Sequence, residues 1–275
     1  MRPICFLSDF GLADDFVGSC KGVIASIAPE AHIIDLTHDV PGFEIEAGAE
    51  ILQHATRYMP PDTVYLAVID PGVGTERRGI ALSTGSGALM VGPDNGLLLP
   101  AARFLGGVRE CVVLNNPRYR LHPLSNTFHG RDIFSPAAAH LASGISLTEL
   151  GDSIPPAELV DLELPETGAQ DIKDGFEARI ISIDRFGNAR LSVLQEEADF
   201  GYGSLLGVDV GDGEMKVRYV NTFGAAKPGE LVLVPDSHWR LSLCINRGNA
   251  AQALSLSSGE RVHVRLLERQ DAGGG

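Results

Sequence analysis

Four groups of polar residues have the types and spacing to do chemistry. The first is Ser8-Asp9-Phe10-Gly11, with Asp14-Asp15 close behind. It follows the apolar run Ile4–Leu7, and an aspartate just past a buried strand can accept hydrogen bonds from a ribose diol or bind a metal. The same residues serve equally well as loop and helix-cap groups. The second is Asp70-Pro-Gly-Val-Gly-Thr-Glu-Arg77-Arg78. A carboxylate at the tip of a buried strand is costly without a partner, and Gly72 and Gly74 let backbone approach a ligand closely. No Gly-Lys-Ser/Thr follows, so this is not a phosphate loop; a surface turn with a solvated arginine pair is the plain alternative. The third, Asn126-Thr-Phe-His129-Gly130-Arg131-Asp132, packs His, Gly, Arg and Asp into four consecutive positions before a helical stretch. The fourth is divided among Asp184-Arg-Phe186-Gly-Asn188, Asp236-Ser237 and Asn246-Arg-Gly-Asn-Ala250-Ala251. Gly-Asn before a helix offers backbone N–H groups that can read a base edge or an anion, although ordinary turn chemistry explains these residues too. The histidines are scattered, with no HExxH or HxH spacing, so no metal site and no metal cofactor are expected.

The elements that must position these groups change character once along the chain. Strands are expected at Ile4–Leu7, His32–Leu36 and Thr63–Ile69, alternating with helices over Asp14–Ile27 and Ile45–Tyr58. Val17, Val23, Ile24 and Ile27 have helical spacing, and the paired aspartates suit a helix N-terminus. Strand-helix alternation of this kind predicts an α/β domain with a mostly parallel sheet covered by helices on both faces. Further strands are expected at Ile80–Ser83, Leu89–Val91 and Glu110–Leu114, with a helix over Phe134–Ala142. The acidic, Pro-containing stretch Asp161–Asp174 then reads as a linker. Beyond it, short alternating runs (Ala178–Ile183, Ala189–Val193, Lys216–Val220, Leu231–Val234, Val262–Leu266) separated by Gly/Asp/Asn turns predict a smaller all-β, barrel-like domain. A short helix is expected after Gly248-Asn249. The division is therefore 1–160, a linker at 161–174, and 175–270, with Asp271–Gly275 as a disordered tail. All but the fourth polar group fall where strands end in the α/β domain, the edge at which open parallel sheets bind ligands.

Composition narrows the partners. A formal net charge of −14, from 22 basic and 36 acidic residues, argues against nucleic acid or an anionic membrane, both of which need concentrated Lys and Arg. It suits a cationic ligand. Four widely spaced cysteines read as reduced, buried thiols. With no signal-peptide pattern and no apolar run approaching 18 residues, a cytoplasmic protein is expected.

Taken in order, the motifs resemble the SAM hydroxide adenosyltransferases, hydrolytic relatives of the SAM-dependent fluorinating and chlorinating enzymes, where SAM is S-adenosyl-L-methionine. The likeness runs from about Ile4 to Leu267 and rests on Ser8-Asp-Phe-Gly with Asp14-Asp15, Asp70-Pro-Gly-Val-Gly-Thr with Arg77-Arg78, Pro93-Asp-Asn-Gly-Leu-Leu, Thr127-Phe-His-Gly-Arg-Asp, Phe186-Gly-Asn and Asn246-Arg-Gly-Asn-Ala-Ala. It implies hydrolysis of SAM to adenosine and methionine, with SAM as substrate and no cofactor. It also implies a homotrimer that binds SAM between the N-terminal domain of one subunit and the C-terminal domain of the next. By motif, Asp70, Arg77 and His129 correspond to the catalytic set; Arg78 adjoins, and spacing favours Arg77. Asp9 corresponds to the ribose ligand and Phe43 to an aromatic packed on the nucleoside. Asn188 and the backbone at Ala250 and Ala251 correspond to the adenine contacts, with Phe186 nearby. Asp184 and Ser237 correspond to the groups that hold the methionine amine and carboxylate, with Asp14 assisting.

The halogenating relatives carry Tyr in place of Asp70, and the fluorinating ones Ser in place of Gly130 and an insertion near Ser83–Leu89. Halide chemistry is therefore disfavoured. A SAM or adenosine binding module without turnover is the alternative from another class. Asp236-Ser-His238-Trp239 departs from the Asn-Ser-Ser-Gly usual in the relatives.

Overall fold

A computed structural model describes residues 1–162, 168, 170–172, 174–211 and 213–269. Much of the sequence-read linker (163–167, 169 and 173) and the Asp271–Gly275 tail lie outside the described residues. The chain divides into two compact units, Met1–Leu164 and Pro165–Gly275.

The first unit contains strands β1 (Ile4–Ser8), β2 (Ile33–Thr37), β3 (Val64–Val68), β4 (Gly79–Thr84), β5 (Leu89–Pro93) and β6 (Val108–Val113). Its helices are α1 (Phe16–Ile27), α2 (Ile45–Ala55), α3 (Leu99–Phe104) and α4 (Ser135–Ala142). One sheet has the order β2-β1-β3-β5-β4-β6. Alternate residues of the central strands face opposite layers, as a pleated strand requires. Ile4 and Phe6 of β1 and Val64, Leu66 and Val68 of β3 pack with α1 and α4. Cys5 and Leu7, with Tyr65 and Ala67, pack with α2 and α3. Burial on both faces accounts for the nearly unbroken apolar runs of β1 and β3. Four cysteines are free and buried; burial pushes the Cys20 thiol up to about 11.

The sheet is mixed, where a mostly parallel one was expected. β2, β1, β3 and β5 pair in parallel, whereas β4 is antiparallel to both β5 and β6. The cause is the short Gly85-Ser86-Gly87-Ala88 connection, which is too short for a crossover. This reversal positions chemistry. β3 ends at the carboxyl edge of the parallel strands, and β4 starts from that same edge. The loop 69–78 therefore leaves and re-enters the sheet at one place.

The motif Pro93-Asp-Asn-Gly braces that loop from behind. Asp94, with its side chain 2% exposed, pairs with Arg78 at 2.6 Å and accepts the Val160 N–H at 2.9 Å. Asn95 donates to the Ile69 carbonyl at 2.8 Å.

The second unit contains β7 (Gln170–Ile172), within the stretch read as linker, then β8 (Gly175–Ile183), β9 (Ala189–Leu194), β10 (Leu205–Asp209), β11 (Glu214–Tyr219), β12 (Leu231–Pro235), β13 (Arg240–Ile245) and β14 (Arg261–Glu268). A helix, α5 (Ala250–Ala253), follows Asn249. The order β14-β10-β11-β12-β13-β9-β8 closes through β14–β8 pairing into a seven-stranded barrel, with β7 paired to Gly175–Glu177 of β8, ahead of the residues that pair with β9. Inward residues such as Phe176, Ile180, Leu191, Val193, Leu206, Val208, Leu243 and Val264 fill it, as closure of a small barrel requires. No helix among the described residues is long and apolar enough to cross a membrane.

The Asp94→Ala variant is expected to lose about 2–3 kcal/mol, because it removes the buried partner of the Arg78 guanidinium, leaving it only Glu158, and the acceptor of the Val160 N–H together. The measurement is the urea midpoint at constant slope; an unchanged midpoint would show that Asp94 anchors nothing.

Candidate active site

Asp70 lies two residues beyond β3, and successive turns carry the chain from it to Arg77. The Val73 N–H bonds the Asp70 carbonyl at 3.2 Å, and the Thr75 hydroxyl donates to the Gly72 carbonyl at 2.7 Å. Gly74 is needed at its position: φ is +77°, and a Cβ would lie 2.4 Å from the Asn126 carbonyl oxygen. The loop carrying Arg77 and the loop carrying His129 touch there.

Arg77 joins all three candidate catalytic groups. Its Nε donates to Asp70 Oδ1 at 3.0 Å, and its Nη2 donates to both Asp70 Oδ2 and, at 3.2 Å, His129 Nδ1. The Arg77 and Asp70 side chains are 9% and 6% exposed. The guanidinium also lies over the Phe134 ring, 5.4 Å from its centroid. Arg78 faces away, toward Asp94 and Glu158, so of the two adjacent arginines only Arg77 enters this cluster.

The polarity of the bonds fixes the protonation pattern. Arginine only donates, so His129 Nδ1 must be an acceptor and the ring proton sits on Nε2. Burial, and next the Arg77 charge, hold the His129 imidazole below its ordinary value of 6.5. Burial raises the Asp70 carboxyl above the usual aspartate value, although Arg77 opposes it. Asp70 and His129 both bond to Arg77, with no bond to each other among the described residues.

His129 itself is fixed from below. It precedes a π-type turn, Gly130–Phe134, which leads into α4. Asp132, 1% exposed, accepts the Ser125 N–H at 2.8 Å and the Arg131 Nε at 2.6 Å. Gly130 is packed so closely that a Cβ would meet Phe10 Cζ at 2.8 Å and Phe128 Cε2 at 3.4 Å. Phe10, Phe16 and Phe128 form an edge-to-face cluster with centroids 5.1–6.1 Å apart, and sequence inspection did not single it out. Phe10 and Phe16 beside the first polar motif and Phe128 within the third were the available signal.

Asp9 stands at the end of β1, on the same strand edge as Asp70. Its Oδ2 accepts the Phe43 N–H at 2.9 Å. Phe43 adopts φ +69° and is 72% exposed, an aromatic face held in a strained conformation toward solvent. Asp14 is exposed in the loop before α1.

The remaining candidates belong to the barrel unit. Asp184 accepts from the backbone N–H groups of Phe186 (2.8 Å) and Asn188 (2.9 Å) and from Asn188 Nδ2 (2.8 Å). These bonds leave the Phe186 ring 68% exposed. The Ala251 N–H is bonded to the Gly187 carbonyl at 2.9 Å, so the Asp184–Asn188 turn and α5 form one local unit. That bond engages the Ala251 N–H within the barrel unit. Ser237 is exposed in a turn organised by Asp236, which pairs with Arg190 and accepts the His238 and Arg240 N–H groups. Burial tends to raise the Asp236 carboxyl, but Arg190 and these donors outweigh it and hold it low.

Comparison with known proteins agrees with this arrangement over both units. The chain matches the SAM hydroxide adenosyltransferase N-terminal domain over residues 4–151 and the corresponding C-terminal domain over residues 178–263. The chain belongs to the SAM hydroxide adenosyltransferase family. It is 45% identical to a Salinispora tropica protein named (R)-S-adenosyl-L-methionine hydrolase, covering 95% of this chain and 97% of that one. It is 29% identical to a Nocardia brasiliensis fluorinase, covering 96% and 97%. A crystal structure of an uncharacterized conserved protein from Thermotoga maritima superposes with a TM-score of 0.86 at 35% identity, covering 95% of this chain and 99% of that one. Within this adenosyltransferase fold, the motifs shared along the chain become two clusters: Asp9, Phe43, Asp70, Arg77 and His129 at one sheet edge, and Asp184, Phe186, Asn188, Ala250 and Ala251 around one barrel turn and α5.

The His129 geometry is testable directly. Nitrogen-15 NMR at pH 7 is expected to show a neutral imidazole protonated on Nε2. The ring should titrate below 6.5, because both named causes favour the neutral form. An imidazolium at pH 7, or the Nδ1–H tautomer, would contradict the Arg77 bond.

Proposed function

We propose that this chain hydrolyses S-adenosyl-L-methionine to adenosine and L-methionine by in-line attack of water on C5′. The carrying observation is the cluster in which Arg77 joins a buried carboxylate to a neutral imidazole at the ligand-binding edge of the sheet. The name of the Salinispora relative supports the same reaction. That name specifies an (R) form, and with the methionine carbon already given as L, the stereocentre concerned is the sulfonium. The R epimer is accordingly the substrate we assign.

The sulfonium leaves as a neutral thioether, so the leaving group needs neither an acid nor a cofactor. The demand falls on the nucleophile, since free water has a pKa of about 15.7. As the O–C5′ bond forms and the C5′–S bond breaks, Asp70 takes the water proton and later returns it to solvent. Burial makes this carboxylate a better base than an exposed one. Arg77 stabilises the developing hydroxide and fixes the Asp70 orientation. His129, with Nδ1 occupied, presents Nε2–H as a donor that orients the water. General-base assistance is worth roughly 10²–10⁴-fold, while alignment contributes up to about 7–11 kcal/mol. Placement of the water therefore outweighs basicity.

For binding, we assign Asp9 to the ribose hydroxyls and Phe43 to a face of the nucleoside. Asn188, Phe186 and the backbone at Ala250 and Ala251 take adenine. Asp184, Ser237 and Asp14 take the methionine end. Those of them in the barrel, Asp184, Phe186, Asn188, Ser237, Ala250 and Ala251, come from a second subunit of a homotrimer, and the protein works in the cytoplasm. Light scattering on the purified protein should return three times the 29.2 kDa chain mass; a monomer with full activity would remove the shared site.

The deciding experiment is prolonged incubation with each SAM epimer, without metal or halide, followed by chromatography. Equal amounts of adenosine and methionine should appear, faster from the R epimer, and Asp70→Asn should lose at least about 10²-fold in kcat while still binding SAM. Intact SAM, or chloride-dependent product, would overturn the hydrolase reading. Activity should fall as pH drops, because both Asp70 and His129 act in their deprotonated forms. The His129 inflection should lie below 6.5, and an acid limb centred above it would contradict the assignment.

A further inference from the structure

We propose that His38 is a positioning residue for substrate binding: it clamps the Ser8–Gly11 loop on both sides of Asp9 and so aims the Asp9 carboxylate at the ribose. The inference rests on the assignment of Asp9 to the ribose hydroxyls.

On one side of Asp9, the Ser8 hydroxyl lies 2.8 Å from His38 Nδ1. On the other, the Gly11 N–H donates to the His38 carbonyl at 2.7 Å. The far ring nitrogen, Nε2, meets Asp35 Oδ1 at 3.1 Å, and Asp35 Oδ2 accepts from Lys21 on α1 at 2.5 Å. Four side chains thus link α1, β2 and the end of β1. Asp35 accepts, so Nε2 donates to it; in the neutral ring Nδ1 then takes the Ser8 hydroxyl proton, and the Ser8 oxygen faces the Phe10 N–H at 3.4 Å. The ring stands edge-on to Phe6, with centroids 4.6 Å apart. Five residues further along, the same segment supplies the Phe43 N–H that bonds Asp9 Oδ2. Asp9 is therefore held by its neighbours on either side and at its own carboxylate.

The sheet is locally irregular so that this can happen. Phe6 is paired with Asp35, but Leu7 is paired with Thr37, skipping Leu36. In unbroken register Ser8 would lie beside Thr37. The slip advances β2 by one residue and sets His38 beside Ser8 instead, which is how a bulge re-aims a side chain near a site. A hydrolytic Ser-His-Asp triad does not explain the chain, because Ser8 is fully buried at 0% and no reactant can reach its hydroxyl. Bulk core packing does not explain it either, since a fully buried hydroxyl and a 4% exposed imidazole are kept in an otherwise apolar layer.

The test uses two variants, Ser8→Ala and His38→Phe, the second keeping a ring against Phe6. Steady-state KM and kcat are measured with SAM and with its 2′-deoxyadenosyl analogue, in the wild-type background and combined with Asp9→Ala. Each variant is expected to raise KM for SAM about tenfold with kcat within about twofold, and to narrow the preference for SAM over the deoxy analogue. In the Asp9→Ala background the same changes should add less than about twofold, because the group they position is gone. Unchanged KM, or increments that multiply with Asp9→Ala, would overturn the positioning role. If His38→Phe fails to fold, the Ser8→Ala series decides alone. If Asp9→Ala itself leaves KM and the ribose preference unchanged, the ribose assignment falls and this inference with it. If Asp9→Ala raises KM and Ser8→Ala does not, only the clamp is wrong.

Discussion

The site in the first unit depends on one side chain with two obligations. Arg77 neutralises Asp70 and satisfies His129 from a single planar fork. A carboxylate buried to 6% exposure is tolerable only with such a partner, and the imidazole keeps its tautomer only because its neighbour never accepts a hydrogen bond. Much of the surrounding structure serves this fork. The Phe134 ring covers it, Thr75 shapes its approach, and Asn95 holds the strand end from which Asp70 projects. Lysine would be no substitute, since a point ammonium cannot span both partners with fixed directions.

Polar residues outside the Asp70–Arg77–His129 cluster divide between holding and presenting. Asp94 and Asp132 are almost completely buried and spend their oxygens on backbone N–H groups and on Arg78 and Arg131. The barrel shows the same economy, with a half-buried Asp236 accepting from the turn that exposes Ser237. Strain, by contrast, collects where side chains meet solvent: Phe43 and Trp239 both have positive φ and are 72% and 65% exposed.

The sequence was legible where the period was long and the chemistry dense. β1, α1, β2 and β3 lie within a residue or two of their expected bounds, because each has an unambiguous period and a punctuated end, while α2 stops at Ala55, three residues before the expected Tyr58, where the last turn tightens to 3-10 geometry. The site clusters were legible as motifs, and the structure gathers Asp70, Arg77 and His129 where strand ends suggested. What escaped was relational. The Gly85-Ser86-Gly87-Ala88 connection is short enough for a hairpin, yet its consequence, a reversed β4, emerges only when the strands are placed in order. α3 has six residues, too few to display a helical period, and β10 and β13 sit among turn residues that mask their alternation. The Lys21–Asp35–His38–Ser8 chain could not be read at all, since it depends on a one-residue register slip that no local pattern announces.

The reversed strand also bears on how the molecule can be assembled. Because β4 re-enters the sheet at the edge β3 leaves, Asp70 and Arg77 are joined by a closure of only 7 residues, whereas Arg77 and His129 span 52. The shorter loop is cheaper to close by about 1.8 kcal/mol of chain entropy. Opposite charges can therefore meet while water still surrounds them, and enter the interior already neutralised. The imidazole, closing the longer loop, carries no charge that such a meeting must neutralise.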